Sequence, residues 1–337
     1  MDDRQQQLSI WLNKVLQSTH FELTTASADA SFRRYFRVHL PQAHLGHASL
    51  IAMDAPPPQE DCAPFVRIAQ LFLEAGLNVP RVLAQDLSQG FLLLSDLGDD
   101  TYLSQLNAQT VAPLYQAATD SLIKLQLASQ PQQLPDYDEA LLTREMQLFP
   151  DWYVAKQLNV TLSAEQQTVL SNAFAVLNSN ILAQAKVYVH RDFHSRNLMR
   201  TRKNNPGVLD FQDAVYGPIT YDLVSLLKDA YIAWDEEQII DSAVRYWQPA
   251  KKAGLPVPDD FSEFYRDFEW MGAQRHIKVL GIFARLSYRD GKHAYLKDQP
   301  VVMAQLRKVC ERYVELRPLL RLLNQLAKLE PQVGYTF

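Results

Sequence analysis

An α+β protein in two parts is expected from three features of this 337-residue chain. Short runs rich in β-branched and aromatic residues, punctuated by turn signals, fill the N-terminal region, whereas helical periodicity takes over from Thr101. Between two of the later helices lies an unusually polar stretch, Val187 to Asp213, that reads as a strand, a loop and a β-hairpin. The boundary is placed at residue 97, giving parts 1–97 and 98–337, with the polar stretch in the second.

Taken in order, residues 4–17 put Leu8, Trp11, Leu12 and Val15 on one face of an amphipathic helix. Phe21–Thr25, Tyr35–Val38 and Ser49–Asp54 read as strands, and the 26–34 connection between the first two contains no glycine. Pro56-Pro57-Pro58 is a stiff lead into a helix over 62–75, with Phe65, Ile68, Ala69 and Phe72 on one face and Gly76 as its cap. Val79–Ala84 and Gly90–Leu94 complete a five-stranded, mostly antiparallel sheet, which exits through Ser95-Asp96-Leu97-Gly98. Val111 to Leu125 form a core helix with Thr110 as N-cap, and residues 139–149 a shorter one ended by Pro150. Ser163 and Gln166 make a capping box for the next helix. After the polar stretch, Asp222 opens a helix as N-cap or as a brace, and further helices are expected over 236–247, 260–289 and 300–328, the last bent at Pro318. In the helix over 260–289, Gln274, Lys278 and Arg285 fall within ~40° of one another, either a solvated face or a polar wall for an acceptor.

A hydrophobic content of 47% and a charged content of 21% describe an ordinary globular protein, and the net charge of −5 argues against a nucleic-acid partner. No apolar signal segment or membrane-length run is present, and Cys62 and Cys310 are too few for a disulfide framework. A cytoplasmic monomer acting on a small molecule is the expectation.

The chemistry concentrates in the polar stretch. Val187-Tyr188-Val189 delivers His190, Arg191 and Asp192 into a loop; Asn197 precedes Leu198-Met199; Val208-Leu209 delivers Asp210. The basic turn over 200–206 closes a hairpin that brings Asp192, Asn197 and Asp210 to one end. Two carboxylates and a carboxamide suit phosphoryl transfer to a hydroxyl, in which one carboxylate accepts the hydroxyl proton while the amide oxygen and the other carboxylate hold Mg²⁺ on the phosphates. Each residue alone is an ordinary turn former or helix cap, so the conjunction carries the reading. A rival makes His190, Asp192 and His194 ligands of a transition metal, but it leaves Asn197 and Asp210 without a task.

The run His190-Arg191-Asp192-Phe193-His194-Ser195-Arg196-Asn197, followed by Asp210-Phe211, resembles the catalytic and metal loops of the protein-kinase-like superfamily. His194 narrows the likeness to the aminoglycoside phosphotransferase and choline kinase branch. The resemblance implies a bilobal fold using ATP and Mg²⁺, with Asp192 as base, Asn197 and Asp210 as metal ligands, and His190, Arg191, His194 and Asp222 supporting the catalytic loop. It also implies nucleotide contacts from Ser31, Arg33 and Arg34 in the 26–34 connection and from the hinge residues Ser95, Asp96 and Leu97. Two departures stand out: that connection lacks glycine, and Met53 occupies the usual place of a phosphate-binding Lys, so Arg33 or Arg34 is expected to supply the charge.

Residues 29–38 and 270–283 further resemble bacterial cell-wall sugar kinases, which phosphorylate the anomeric hydroxyl of N-acetylmuramate and N-acetylglucosamine in peptidoglycan recycling. By that likeness Arg275, Lys278 and Arg285 are expected to meet the acceptor. Two alternatives stay open: a kinase of another small hydroxyl compound such as an aminoglycoside, and a non-catalytic nucleotide-binding pseudokinase.

Overall fold

The computed structural model describes residues 2–28, 32–44, 47–57 and 59–328. In chain order these form α1 (Asp3–Leu16), β1 (Glu22–Ala28), β2 (Arg34–His44), β3 (His47–Asp54), α2 (Ala63–Glu74), β4 (Val82–Asp86), β5 (Phe91–Ser95), α3 (Tyr102–Gln105), α4 (Val111–Leu127) and α5 (Glu139–Leu148). A π-helical stretch, Phe149–Gln157, leads on to α6 (Ala164–Ala183), β6 (Lys186–Val189), β7 (Leu198–Met199), β8 (Gly207–Val208), β9 (Val215–Pro218) and α7 (Tyr221–Leu227). The chain closes with α8 (Glu236–Lys252), α9 (Phe261–Tyr288), α10 (Gln299–Arg312) and α11 (Arg317–Leu326). It divides into two units, Met1–Leu106 with Arg196–Ala214 and Asn107–Ser195 with Val215–Phe337. Residues 196–214, expected in the second part, group with the first because backbone bonds tie them there: Arg200 N–H donates to the Asp100 carbonyl (2.7 Å) and Val208 N–H to that of Asn78 (2.8 Å).

The first unit is built on an antiparallel sheet of order β1-β2-β3-β5-β4. Strand alternation sends Phe36, Val38, Leu50, Ala52, Phe91 and Leu93 to one face, and α1 buries Leu8, Trp11, Leu12 and Leu16 against them. Because Arg34 pairs with Asp54 and Tyr35 with Met53, Arg34 and Asp54 share the α1 face while the buried Met53 lies on the other. Gly76 ends α2 at φ +82°, a conformation an L side chain resists, and both bonds of the Schellman motif form: Leu77 N–H to the Phe72 carbonyl and Gly76 N–H to that of Leu73, each 3.0 Å. Phe65 and Phe72 of α2 pack on Phe211, with centroids 4.8 and 5.7 Å away, so the aromatic residue after Asp210 is locked onto this helix.

The second unit is organised on α9, which packs against α5, the π-helical stretch, α6, α7 and α10. Its expected solvated stripe does not exist: Gln274 and Lys278 are buried and Arg285 is half-buried. Two expected helix ends form and a third changes. Thr110 stands at the N-cap of α4 as expected but makes no side-chain cap bond; the Asn107 side-chain oxygen, one turn earlier, accepts from the Gln109 and Thr110 N–H groups. α5 ends at Leu148, just before Pro150 as expected, and the chain continues as the π-helical stretch with Pro150 in its first turn. The final helix is broken at the extended Tyr313, and Pro318 begins α11 rather than bending it. The capping box at Ser163 and Gln166 forms as expected.

Gly281 lets α5 and α9 approach. A Cβ there would stand 2.5 Å from the Leu148 carbonyl oxygen and 2.6 Å from its Cβ, distances that no side chain tolerates. Alanine gains about 0.8–1 kcal/mol in helix propensity over glycine, but overpacking against backbone costs about 1–3 kcal/mol and should win. Gly281→Ala is therefore expected to lower stability in urea unfolding; an unchanged or higher midpoint would show that the two helices are not pressed together here.

Candidate active site

The loop following β6 is held at both ends by buried carboxylates. β6 pairs with β9, and β9 runs directly into α7, whose first turn carries Asp222 beneath the loop. Asp222, fully buried, accepts from the backbone N–H of His190 (2.6 Å) and of Arg191 (3.0 Å), so it is a brace and not an N-cap. Burial pushes its carboxyl up to about 7 against the pull of those two amides, so both oxygens accept fully only above that range. Asp229, just past α7, accepts from both the N–H and the hydroxyl of Ser195 and from Tyr231 N–H. Between these anchors Arg191 takes φ +77°, a left-handed conformation that persists only where the surroundings dictate it. The His190 ring, also buried, accepts at Nδ1 from Asp192 N–H (3.2 Å), and the His194 ring lies edge-on to Tyr231.

Asp192 projects from this loop with its side chain 42% exposed, facing Arg275 at 3.8 Å. Packing would raise its pKa, but Lys278, Arg275, His194 and Arg191 outweigh that and hold it well below the usual carboxylate range. It is thus ionised at neutral pH, as a base must be. Behind it, Tyr221 hydroxyl accepts from Lys278 (2.8 Å) and Arg275 (3.2 Å), and Arg275 also donates to the Arg191 carbonyl (3.0 Å). Glu145 of α5 accepts from Lys278 at 2.9 Å, from Arg191 and from the Tyr137 hydroxyl. Sequence reading missed Glu145, Tyr221 and Asp229. Only Asp229 left a signal, as a second acidic residue one helix after Asp222. Arg285 stands two turns along α9 from this cluster, its Nε buried and without a hydrogen-bond partner among the described residues.

In the first unit, Asn197 Nδ2 donates to Asp210 Oδ2 at 3.3 Å, Asn197 carbonyl accepts from Leu209 N–H (2.9 Å), and Gln212 donates to the other Asp210 oxygen (2.7 Å). Asp210 too has positive φ, +62°. One carboxylate beside one carboxamide fits Mg²⁺, which takes one or two protein oxygens and completes its shell with phosphates and water. Among the described residues no three His, Cys, Asp or Glu side chains converge as a metal site, so the His190, Asp192 and His194 set is not one.

The expected nucleotide residues fare unevenly. Ser31 lies outside the described residues. Arg34 is committed to Asp2 and the buried Asp54 on the α1 face, opposite to Met53, so it does not stand in for the missing Lys. Arg33 is 3.5 Å from Glu60, which also accepts from Phe32 N–H. Ser95 N–H is taken by the Arg81 carbonyl (3.0 Å). Asp96 accepts from Arg37 (2.6 Å) and Ser49 (2.7 Å), which overcome its burial and hold it below its ordinary pKa. Leu97 packs against Gly207 of β8.

Comparison with known proteins places these features. A kinase from Neisseria meningitidis serogroup B, named for N-acetylmuramate and N-acetylglucosamine, is 49% identical, covering 99% of each chain. One of the same name from Pseudomonas aeruginosa is 48% identical over 96% of this chain and 97% of its own. The fold is shared with a choline/ethanolamine kinase family protein from Mesorhizobium loti (TM-score 0.64, 14% identity, 96% of this chain and 99% of that one). A spectinomycin phosphotransferase solved with ADP and spectinomycin also shares it (TM-score 0.62, 13% identity, 89% and 98%). The model of the phosphotransferase enzyme family matches residues 22–257, and the chain belongs to that family.

Proposed function

We propose that this chain is an ATP-dependent kinase that transfers a phosphoryl group to the anomeric hydroxyl of N-acetylmuramate and N-acetylglucosamine, giving the sugar 1-phosphate. The observation that carries this reading is identity near one half, over almost the full length, to kinases named for those two sugars. In the reaction the acceptor hydroxyl oxygen bonds to the γ-phosphorus, its proton passes to Asp192, and the bond to the bridging oxygen of ADP breaks. Mg²⁺, held by Asn197 and Asp210, would neutralise charge on the phosphates. Arg275, beside Asp192, steadies the base and favours negative charge arriving there. An anomeric hydroxyl is more acidic than an ordinary alcohol because the ring oxygen withdraws charge, so a base held as low as Asp192 suffices. The nucleotide is met by Arg33 and by the 95–97 segment.

Roles and binding separate in two variants. Asp192→Asn should lose about 10²–10⁴-fold in kcat while keeping the thermal shift produced by Mg·ATP. Arg33→Ala should weaken that shift and raise the KM for ATP more than it lowers kcat. An Asp192→Asn protein with wild-type kcat would remove the base from the account.

The acceptor assignment is tested on the product. Incubation with Mg·ATP and N-acetylmuramate should give a phosphorus resonance coupled to the anomeric proton; a 6-phosphate, or turnover only with aminoglycosides, would overturn the reading. N-acetylmuramate carries a lactyl carboxylate, and of the three α9 cations expected to meet the acceptor, Arg275, Lys278 and Arg285, the last stands outside the Tyr221 and Glu145 cluster. A charge-assisted hydrogen bond contributes about 1.5–3 kcal/mol, so Arg285→Ala should raise the KM for N-acetylmuramate more than tenfold and leave that for N-acetylglucosamine nearly unchanged. Equal effects on both sugars would exclude this contact.

A further inference from the structure

The cations around Asp192 outnumber what a base can use. Arg191, Arg275 and Lys278 bring three positive charges into one buried region, where the carboxylates Glu145 and Asp192 form ion pairs with them. A base crowded by cations is fully ionised but loses its appetite for a proton, and an ammonium group bonded to it directly would occupy the oxygen that the acceptor hydroxyl must reach. The cations do hold Asp192 well below the usual carboxylate range, but direct capture of its oxygens by Lys278 and Arg191 is avoided through Glu145. Glu145 side chain is 7% exposed, and it gathers Lys278 from α9, Arg191 from the catalytic loop and the Tyr137 hydroxyl on one carboxylate.

We propose that Glu145 is a positioning residue for phosphoryl transfer: it holds Lys278 and Arg191 off the Asp192 carboxylate and leaves Arg275 to face the base. The geometry supports this from both sides. Glu145 and Leu148 lie one turn apart on α5, Lys278 and Gly281 one turn apart on α9, and the Gly281 contact with Leu148 brings the helices near enough for the carboxylate to reach the ammonium. Tyr221 hydroxyl spaces Lys278 and Arg275 by accepting from both. Arg191 is fixed at three points: its N–H on Asp222, its carbonyl on Arg275 and its guanidinium on Glu145. Glu145 therefore sets the conformation of the residue preceding the base as well as the field around the base. The ordinary effect of burial would raise the Glu145 pKa, but Lys278 and Arg191 hold it down, so its charge persists across the working range.

This inference rests on the kinase reading, and wild-type turnover of N-acetylmuramate with Mg·ATP secures that reading before any variant is compared. Glu145→Gln should then lower kcat roughly tenfold to a hundredfold, a fraction of the general-base contribution, with the KM for the sugar changed less than about threefold. Adding Lys278→Met to Glu145→Gln removes the surplus cation together with its partner and should recover most of the lost kcat. Charge pairs removed together cost far less than one member removed alone, so the double variant remains a folded, measurable protein even if the single does not. Glu145→Asp, which keeps the charge, should retain more activity than Glu145→Gln. A double variant no faster than Glu145→Gln, or a Glu145→Gln protein with wild-type kcat, would overturn the proposal, as would a loss carried by KM alone.

Discussion

The buried carboxylate of Asp222 accepting two consecutive backbone N–H groups is the interaction on which the catalytic unit depends. It turns the end of β6 into a fixed point, and Asp229 repeats the device at Ser195, so the loop from His190 to Ser195 is suspended between two anchors on either end of α7. A buried carboxylate is costly unless hydrogen-bonded, and each of these meets that requirement with loop amides. The left-handed Arg191 shows what the anchoring achieves. Such a conformation costs on the order of 1–3 kcal/mol, which two charge-assisted hydrogen bonds of about 1.5–3 kcal/mol each offset, and it would relax without them.

From that fixed loop the electrostatics follow. α9 carries Arg275 and Lys278 as buried side chains, and a cluster of this kind contributes little to stability because desolvation offsets the attraction. What it does contribute is placement. Each cation has a designated partner: Lys278 on Glu145 and Tyr221, Arg275 on the Arg191 carbonyl and Tyr221, Arg191 on Glu145. Asp192 is the member of the cluster left 42% exposed, as the proposed role of a base requires.

Much of this was legible in the sequence, and the limits have physical causes. Runs of β-branched and aromatic residues between turn signals revealed the five strands, Gly76 and the Ser163 box marked helix ends, and the spacing of Asp192, Asn197 and Asp210 pointed to them as candidate reactive groups, because local sequence alone carries those features. Readings that depend on what lies across the core failed. Lys278 and Gln274 look like a solvated stripe until α5 and α6 are seen to cover them, and Arg34 looks available for phosphate until the strand register turns it toward Asp54. Glu145, one acidic residue in the polar segment Thr143-Arg144-Glu145-Met146-Gln147, is indistinguishable from a surface residue until its three donors are in place.

The central claim is that two buried carboxylates lock the loop bearing Asp192, and native-state amide hydrogen exchange at pH 8, where Asp222 is ionised, tests it most directly. The backbone amides of His190, Arg191 and Ser195 should exchange as slowly as those in the middle of α9, although they belong to a loop. In an Asp222→Ala protein, protection should vanish at His190 and Arg191 while α9 stays protected. Exchange of these amides in the wild-type protein as fast as in the exposed turn at Arg202 and Lys203 would contradict the account.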